Sequence, residues 1–227
     1  METQLNVRRR NILASPKGGG SCYLDSKPYL EELGIEITEK KLPIQFTSNF
    51  TEPVHRWAPY IQGFSAGFVD SVVDQYRSCY DSPVILDPFA GCGTVPVQSK
   101  LRGCKSVGTE LNPLLHFIAS VKVNSWDIEP ELLLKAYSSI PRDVRSPAPA
   151  FLKSNLQFNE GVLENLEFLK GGIDSIDTRE PEQQKAKSLI KVAFSSILID
   201  CSKLKRTPCL GYWKDKEIAD DAPWIMM

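Results

Sequence analysis

Histidines and closely paired cysteines are scarce in this chain. Its 227 residues include two histidines, His55 and His116, and six cysteines, none of which forms a Cys-X-X-Cys pair. Zinc sites in proteins usually combine these two residue types at short spacing. The sequence therefore predicts no metal centre.

Long apolar runs and an excess of one charge sign are also missing. No stretch approaches the roughly 20 apolar residues needed to cross a bilayer, and the basic start METQLNVRRR has no apolar run behind it. The 27 Lys and Arg residues nearly balance the 28 Asp and Glu residues, which excludes a uniformly basic nucleic-acid-coating protein. We expect a cytoplasmic protein without a membrane partner, in which nucleic acid is contacted only by local patches.

The chain is long enough to bury a sizeable core and to be an enzyme. We divide it into an amino-terminal arm (1–49), an α/β core (50–126) and a mostly helical carboxyl-terminal region (127–227). The arm contains a KGGG turn, which lacks the GK[ST] ending of a phosphate-binding loop. We interpret this turn as a flexible connection.

The core begins with a predicted helix whose apolar residues recur on one face. The short apolar run Val84–Leu86 then predicts a strand buried on both faces. A turn follows from Asp87 to Gly93, and a helix from about Thr94 to Arg102. The apolar residues of the first helix are Phe64, Phe68, Val69, Val72, Val73 and Tyr76.

A second strand is predicted at Ser106–Leu111, and Pro113 opens another helix through about Val123. Strand, helix and strand in this order form a parallel crossover, which places the chain in the α/β class. Three helical patterns follow Trp126. The apolar segment Ile197–Asp200 could be a third strand, but it continues a helical pattern and we favour helix.

The glycine turn is the strongest functional signal in the sequence. Gly91 and Gly93 expose backbone amides where a strand ends and a helix begins, a place where ligands approach the chain closely. A dinucleotide fingerprint would require a third glycine where Pro96 stands, which argues against nicotinamide or flavin. Asp87 suits a ligand ammonium group, and Glu110 can accept both hydroxyls of a ribose. Together these groups describe S-adenosylmethionine.

The segments DPFAGCGT and VGTELNP resemble the cofactor motifs of DNA amino-methyltransferases, which modify adenine N6 or cytosine N4. HRWAPYIQGFSAGFV is similar to the segment that precedes the cofactor turn in that family, and CSKLKRTPCLGYW resembles a basic segment of such proteins. The resemblance implies S-adenosylmethionine as cofactor, DNA as partner and a restriction-modification role. It also implies a Rossmann-like methyltransferase sheet, of which this chain holds only the first strands.

Specific cofactor contacts follow from the resemblance alone. The turn from Asp87 would wrap the methionine and ribose, Glu110 would hold the ribose hydroxyls, and Asn112–Leu114 would border the adenine. An aromatic and a hydroxyl side chain from the upstream segment would close the pocket. The implied cofactor-binding residues are Phe64, Ser65, Asp87, Phe89, Ala90, Gly91, Gly93, Glu110, Asn112 and Pro113.

The acceptor loop of the family is missing. Amine methylation in these enzymes uses a [DNS]-P-P-[YFW] loop that binds the amine and stacks on a flipped base, and this sequence has no Pro-Pro pair. The nearest match is DAPW, whose Asp221 and Trp224 are weak catalytic candidates. Because DAPW follows the charged segment KDKEIAD rather than an apolar strand, we favour a linker or helix start there.

We therefore expect the cofactor-binding half of a truncated or split enzyme, inactive alone and completed by a chain that carries the remaining strands and the catalytic loop. Two alternatives stay open, a fragment of a tRNA guanine-N2 methyltransferase and a non-catalytic cofactor-binding remnant. The cluster Lys203, Lys205 and Arg206, beside Tyr212 and Trp213, could contact nucleic acid. We favour a solvated helix end for this cluster.

Overall fold

The computed structural model describes most of the chain beyond the amino-terminal arm. The described residues are 12–14, 32–34, 37–39, 44–58, 60, 63–80, 82–154, 156–205 and 211–227. Within the arm, strands β1 (Ile12–Ala14) and β2 (Ile37–Glu39) pair in parallel. The KGGG turn and Arg206 of the basic cluster lie outside the described residues.

The central elements alternate between helix and strand, which confirms the α/β class. Strands β3 and β4 pair in parallel, with Val84 opposite Lys105 and Asp87 opposite Gly108. The second strand ends at Gly108, three residues earlier than predicted. The elements are α1 (Ala66–Arg77), β3 (Val84–Asp87), α2 (Thr94–Leu101), β4 (Lys105–Gly108) and α3 (Pro113–Asn124).

The prediction that β3 is buried on both faces is wrong. Val84 and Leu86 are 65% and 67% exposed, whereas Ile85 faces α1 and borders the same cavities as Val72 and Val73. The helices α1 and α3 both pack against α2, which crosses over from β3 to β4. This helical layer covers one face of the sheet, and nothing among the described residues covers the other.

The carboxyl-terminal region is mainly helical, as predicted. The segment Ile197–Asp200 forms no strand. Ile197 is the last residue of a helix and the next three residues form a turn, so the favoured helix prediction holds only at Ile197. In the basic segment, the favoured prediction of a helix end is wrong at Lys205, which lies in a short strand paired antiparallel with Gly211–Tyr212. The elements are α4 (Pro130–Ser138), α5 (Glu160–Asp174), α6 (Pro181–Ile197), β5 (Leu204–Lys205), β6 (Gly211–Tyr212) and α7 (Ala222–Met226).

In the part of the chain that the structure describes, two apolar clusters form the core. One lies within the helical region and includes Leu166, Leu169 and Ile190. The other supports the α/β core and joins Cys92 of the glycine turn to Val192 of α6. The helical region and the α/β core therefore share a packed boundary. No described helix combines the length and the apolar character that a membrane span requires.

Candidate cofactor site

The turn between β3 and α2 has a backbone that only glycine adopts without strain. Gly91 and Gly93 have φ angles of 53° and 89°, in the left-handed region. A Cβ atom on Gly91 would lie 3.2 Å from the Tyr60 ring, and one on Gly93 would lie 2.9 Å from the Ala119 Cα. At both positions, the backbone conformation favours glycine and a neighbouring residue occupies the space that a side chain would need.

The carboxylate of Glu110 joins the ends of the two strands. Its Oε2 accepts a hydrogen bond from the Gly91 amide at 2.8 Å, and its Oε1 accepts one from the Asn112 amide at 2.8 Å. Each carboxylate oxygen retains a second lone pair, and the side chain is only half-buried. Glu110 can therefore accept ribose hydroxyls while it holds the turn.

Thr109 provides a second connection between the strand ends. Its amide donates to the Asp87 carbonyl at 2.9 Å, its carbonyl accepts from the Ala90 amide at 2.9 Å, and its hydroxyl donates to the Pro88 carbonyl at 2.7 Å. Asp87 uses Oδ1 to accept from the Phe89 amide at 3.1 Å. Its Oδ2 has no hydrogen-bond partner among the described residues, so this oxygen is available to a cationic ligand group.

Exposed apolar side chains border the turn. Phe89 is 87% exposed and Leu111, directly after Glu110, is 99% exposed. A cavity of about 370 Å³ lies between α1 and the end of β3, and Phe64 and Asp87 are among its lining residues. An apolar ligand with a few polar groups would cover this surface.

Two of the predicted cofactor residues cap helices, and a third begins one. Ser65 is fully buried and its hydroxyl accepts from the Phe68 amide at 3.1 Å, which caps α1. Asn112 caps α3 by accepting from the Leu114 amide at 2.9 Å, and Pro113 is the first residue of that helix. Direct contact of these residues with a cofactor stays a prediction.

A buried polar network beneath the turn was not predicted from the sequence. His55 Nε2 and Gln98 Oε1 are 2.9 Å apart, and Gln98 Nε2 donates to Asp70 Oδ1 at 2.8 Å. Arg102 completes the network through an ion pair with Asp70. Burial lowers the pKa of His55, although its hydrogen bond to Gln98 opposes this shift.

Lys122 anchors the segment that leads to Tyr60. Its side chain is fully buried, and the ammonium donates to the carbonyls of His55 and Ala58 at 3.1 and 3.3 Å. Burial lowers the pKa of Lys122 and raises the pKa of the neighbouring Cys92 thiol. Because Tyr60 packs against Gly91, the hydrogen bonds of Lys122 also position the Tyr60 ring beside the glycine turn.

The DAPW segment lies in the helical region. Asp221 precedes the short helix α7, as the preference for a helix start predicted. The Trp224 indole donates to Asn165 Oδ1 at 3.0 Å, and the Arg142 guanidinium lies 4.6 Å from the ring centroid. Both contacts hold the ring within the helical region, and the structure does not bring it together with the glycine turn.

The glycine turn, the acid after the second strand and the α/β crossover form a candidate site for a nucleotide-type cofactor. The chain is 28% identical over 220 residues to the type II methyltransferase M.BsoBI of Geobacillus stearothermophilus, which covers 90% of this chain and 42% of that protein. M.MjaII of Methanocaldococcus jannaschii, also a type II methyltransferase, is 30% identical over 104 residues, or 45% of this chain and 19% of that protein.

A third relative, the type II methyltransferase M.MvaI of Kocuria varians, is 26% identical over 172 residues, which cover 67% of this chain and 37% of that protein. These relatives confirm the resemblance to methyltransferases. The chain spans less than half the length of each of them. No protein-family model and no solved structure matches the chain.

Proposed function

We propose that this chain is the cofactor-binding part of an S-adenosylmethionine-dependent DNA amino-methyltransferase of the restriction-modification type. It would serve adenine N6 or cytosine N4 methylation, and β3 and β4 would be the first strands of a Rossmann-like sheet. The relatives named above support a methyltransferase. The observation that carries the choice of cofactor is the Glu110 carboxylate, which holds the glycine turn and keeps lone pairs for a ribose.

The residues present fit this cofactor. Glycines with positive φ give the turn a backbone conformation that other residues would adopt only with strain, and Asp87 Oδ2 would hold the methionine ammonium. Glu110 would accept the ribose hydroxyls, while Leu111 and Phe89 would cover the apolar parts of the ligand. When bound, S-adenosylmethionine supplies an electrophilic methyl group. The task of this chain is to bind and orient it.

The acceptor half of the chemistry would come from elsewhere. The sequence has no Pro-Pro pair, and the Trp224 ring is held within the helical region. We therefore propose that polypeptide outside these 227 residues carries the acceptor loop and the remaining strands. The isolated chain would bind the cofactor without transferring its methyl group.

Calorimetric titration of S-adenosylmethionine into the purified chain tests the proposal. We expect saturable binding that Glu110→Ala weakens about tenfold or more, since hydrogen bonds to a charged group contribute about 1.5–3 kcal/mol. Glu131→Ala, which removes an exposed glutamate of α4, is the matched control and should bind like the parent chain. A chain with native circular dichroism that shows no saturable binding would refute the proposed cofactor site.

A further inference from the structure

An open cavity lies at the boundary between the α/β core and the helical region. Its volume of about 670 Å³ is within the range of small-molecule sites in proteins. The helices α4 and α6 form part of its wall, and the rest includes Arg56, Trp57, Ser125 and Trp126. None of the predicted cofactor residues is among the lining residues that the structure describes. The proposed function therefore gives this cavity no role.

Two helices supply apolar side chains to the cavity wall. Leu133, Leu134 and Tyr137 of α4 line it, and residues three or four positions apart share one face of a helix. Helix α6 contributes the short side chains of Ala193 and Ser196, three positions apart, beside larger apolar residues. Short side chains at these two positions leave space in front of α6. A large side chain at either position would fill part of the cavity.

Arg56 is the only charged side chain among the described lining residues. Its guanidinium forms no ion pair and no hydrogen bond within the part of the chain that the structure describes. The residue is exposed, so it lies where the cavity opens to solvent. A cation without a partner at the opening of an apolar cavity favours a ligand with a negative charge.

Hydrogen-bond donors predominate among the remaining polar groups of the cavity. The indoles of Trp57 and Trp126 can only donate, and neither donates to a described residue. The Tyr137 hydroxyl already donates to the Trp224 carbonyl at 3.2 Å, and the Ser196 hydroxyl donates within α6 at 2.7 Å. No described lining side chain is a carboxylate. The cavity thus offers unused donors to an anionic acceptor.

We infer that this cavity binds a small aromatic carboxylate. The ring packs among Trp57, Trp126 and Tyr137, because aromatic side chains make favourable contacts with a flat apolar ring. The carboxylate pairs with the Arg56 guanidinium. A polyanion such as a nucleoside triphosphate is a poorer occupant, since a single cation would neutralise only part of its charge. The inference is independent of the proposed function, because it uses none of the cofactor residues.

Calorimetric titration of 2-naphthoate into the complete 227-residue chain tests this inference. The matched neutral probe is 2-naphthamide, which has a similar shape and no charge. We expect saturable one-to-one binding of 2-naphthoate and about fivefold weaker binding of 2-naphthamide, the difference that one partly exposed ion pair contributes. Added salt should weaken the binding of 2-naphthoate alone, because salt screens the interaction of exposed charges.

Arg56→Gln tests the charged contact. It should weaken the binding of 2-naphthoate about fivefold and leave the binding of 2-naphthamide unchanged, because it removes the cation and keeps a polar side chain. Arg77→Gln is the matched control, since Arg77 is an exposed arginine at the end of α1 that does not line the cavity. It should leave the binding of both probes unchanged.

Ala193→Phe tests the location of the site. The added ring should fill the space in front of α6 and abolish the binding of both probes, while native circular dichroism shows that the variant is folded. Absence of saturable binding, equal affinity for the two probes, or binding that survives Ala193→Phe in a folded chain would overturn the inference. None of these titrations contains S-adenosylmethionine, so failure here is separate from failure of the proposed cofactor site.

Discussion

The Glu110 carboxylate accepts the Gly91 amide hydrogen across the gap between two strand ends, at 2.8 Å. The same carboxylate holds the Asn112 amide at the start of α3. One side chain therefore fixes the conformation of the glycine turn and the position of the following helix. In the proposed function it does so before any ligand arrives, which lowers the ordering cost of binding.

Glu110→Gln should destabilise the fold as well as weaken the cofactor site. Glutamine keeps one acceptor oxygen, so either Gly91 or Asn112 loses its bond and faces an amide donor. We expect a loss of about 1–3 kcal/mol in the free energy of unfolding, measured by urea titration. The same substitution at exposed Glu131 should change little. Equal stability of Glu110→Gln and the parent chain would contradict the assigned role.

Gly93→Ala should be strongly destabilising. The new methyl group would lie 2.9 Å from the Ala119 Cα, at a φ of 89° that alanine rarely adopts. Left-handed backbone and overpacking together predict a loss of about 2–4 kcal/mol. Thermal unfolding monitored by circular dichroism measures this loss, and a melting temperature within a degree of the parent would argue against the close approach of α3.

A glycine within α5 should also resist substitution. A Cβ atom on Gly171 would clash with the Val144 carbonyl oxygen, because the loop before α5 packs closely against the helix there. Gly171→Ala should therefore cost about 1–3 kcal/mol. Gly67→Ala in α1 is the matched helical control and has open space around it. It should instead stabilise the chain by about 0.5–1 kcal/mol.

Acid should destabilise the chain through His55. Its folded-state pKa lies below the ordinary value of 6.5, chiefly because the ring is buried. The unfolded chain then binds the proton more readily, so the free energy of unfolding falls as the pH drops below about 6.5 and through the folded pKa. Urea titrations at pH 7.5 and 5.5 measure this loss, which His55→Gln should reduce.

Local patterns predicted the crossover and the glycine turn, because both depend on residues close together in the chain. The exposure of Val84 and Leu86 could not be predicted in this way. An apolar run indicates a strand whose side chains are buried by neighbouring elements, but it does not show whether the chain contains those elements. The contact of His55 with Gln98 joins residues 43 positions apart. A single histidine in a sequence gives no signal of such a partner.

The shared cluster of Cys92 and Val192 makes the glycine turn depend on a helix almost a hundred residues later. Cutting the chain at the end of α3 would remove that support from beneath the turn. The α/β core and the helical region should consequently melt in one cooperative transition, monitored equally by calorimetry and by tryptophan fluorescence. A fragment ending near Asn124 would then be a poor reagent for cofactor studies, however complete its motifs are.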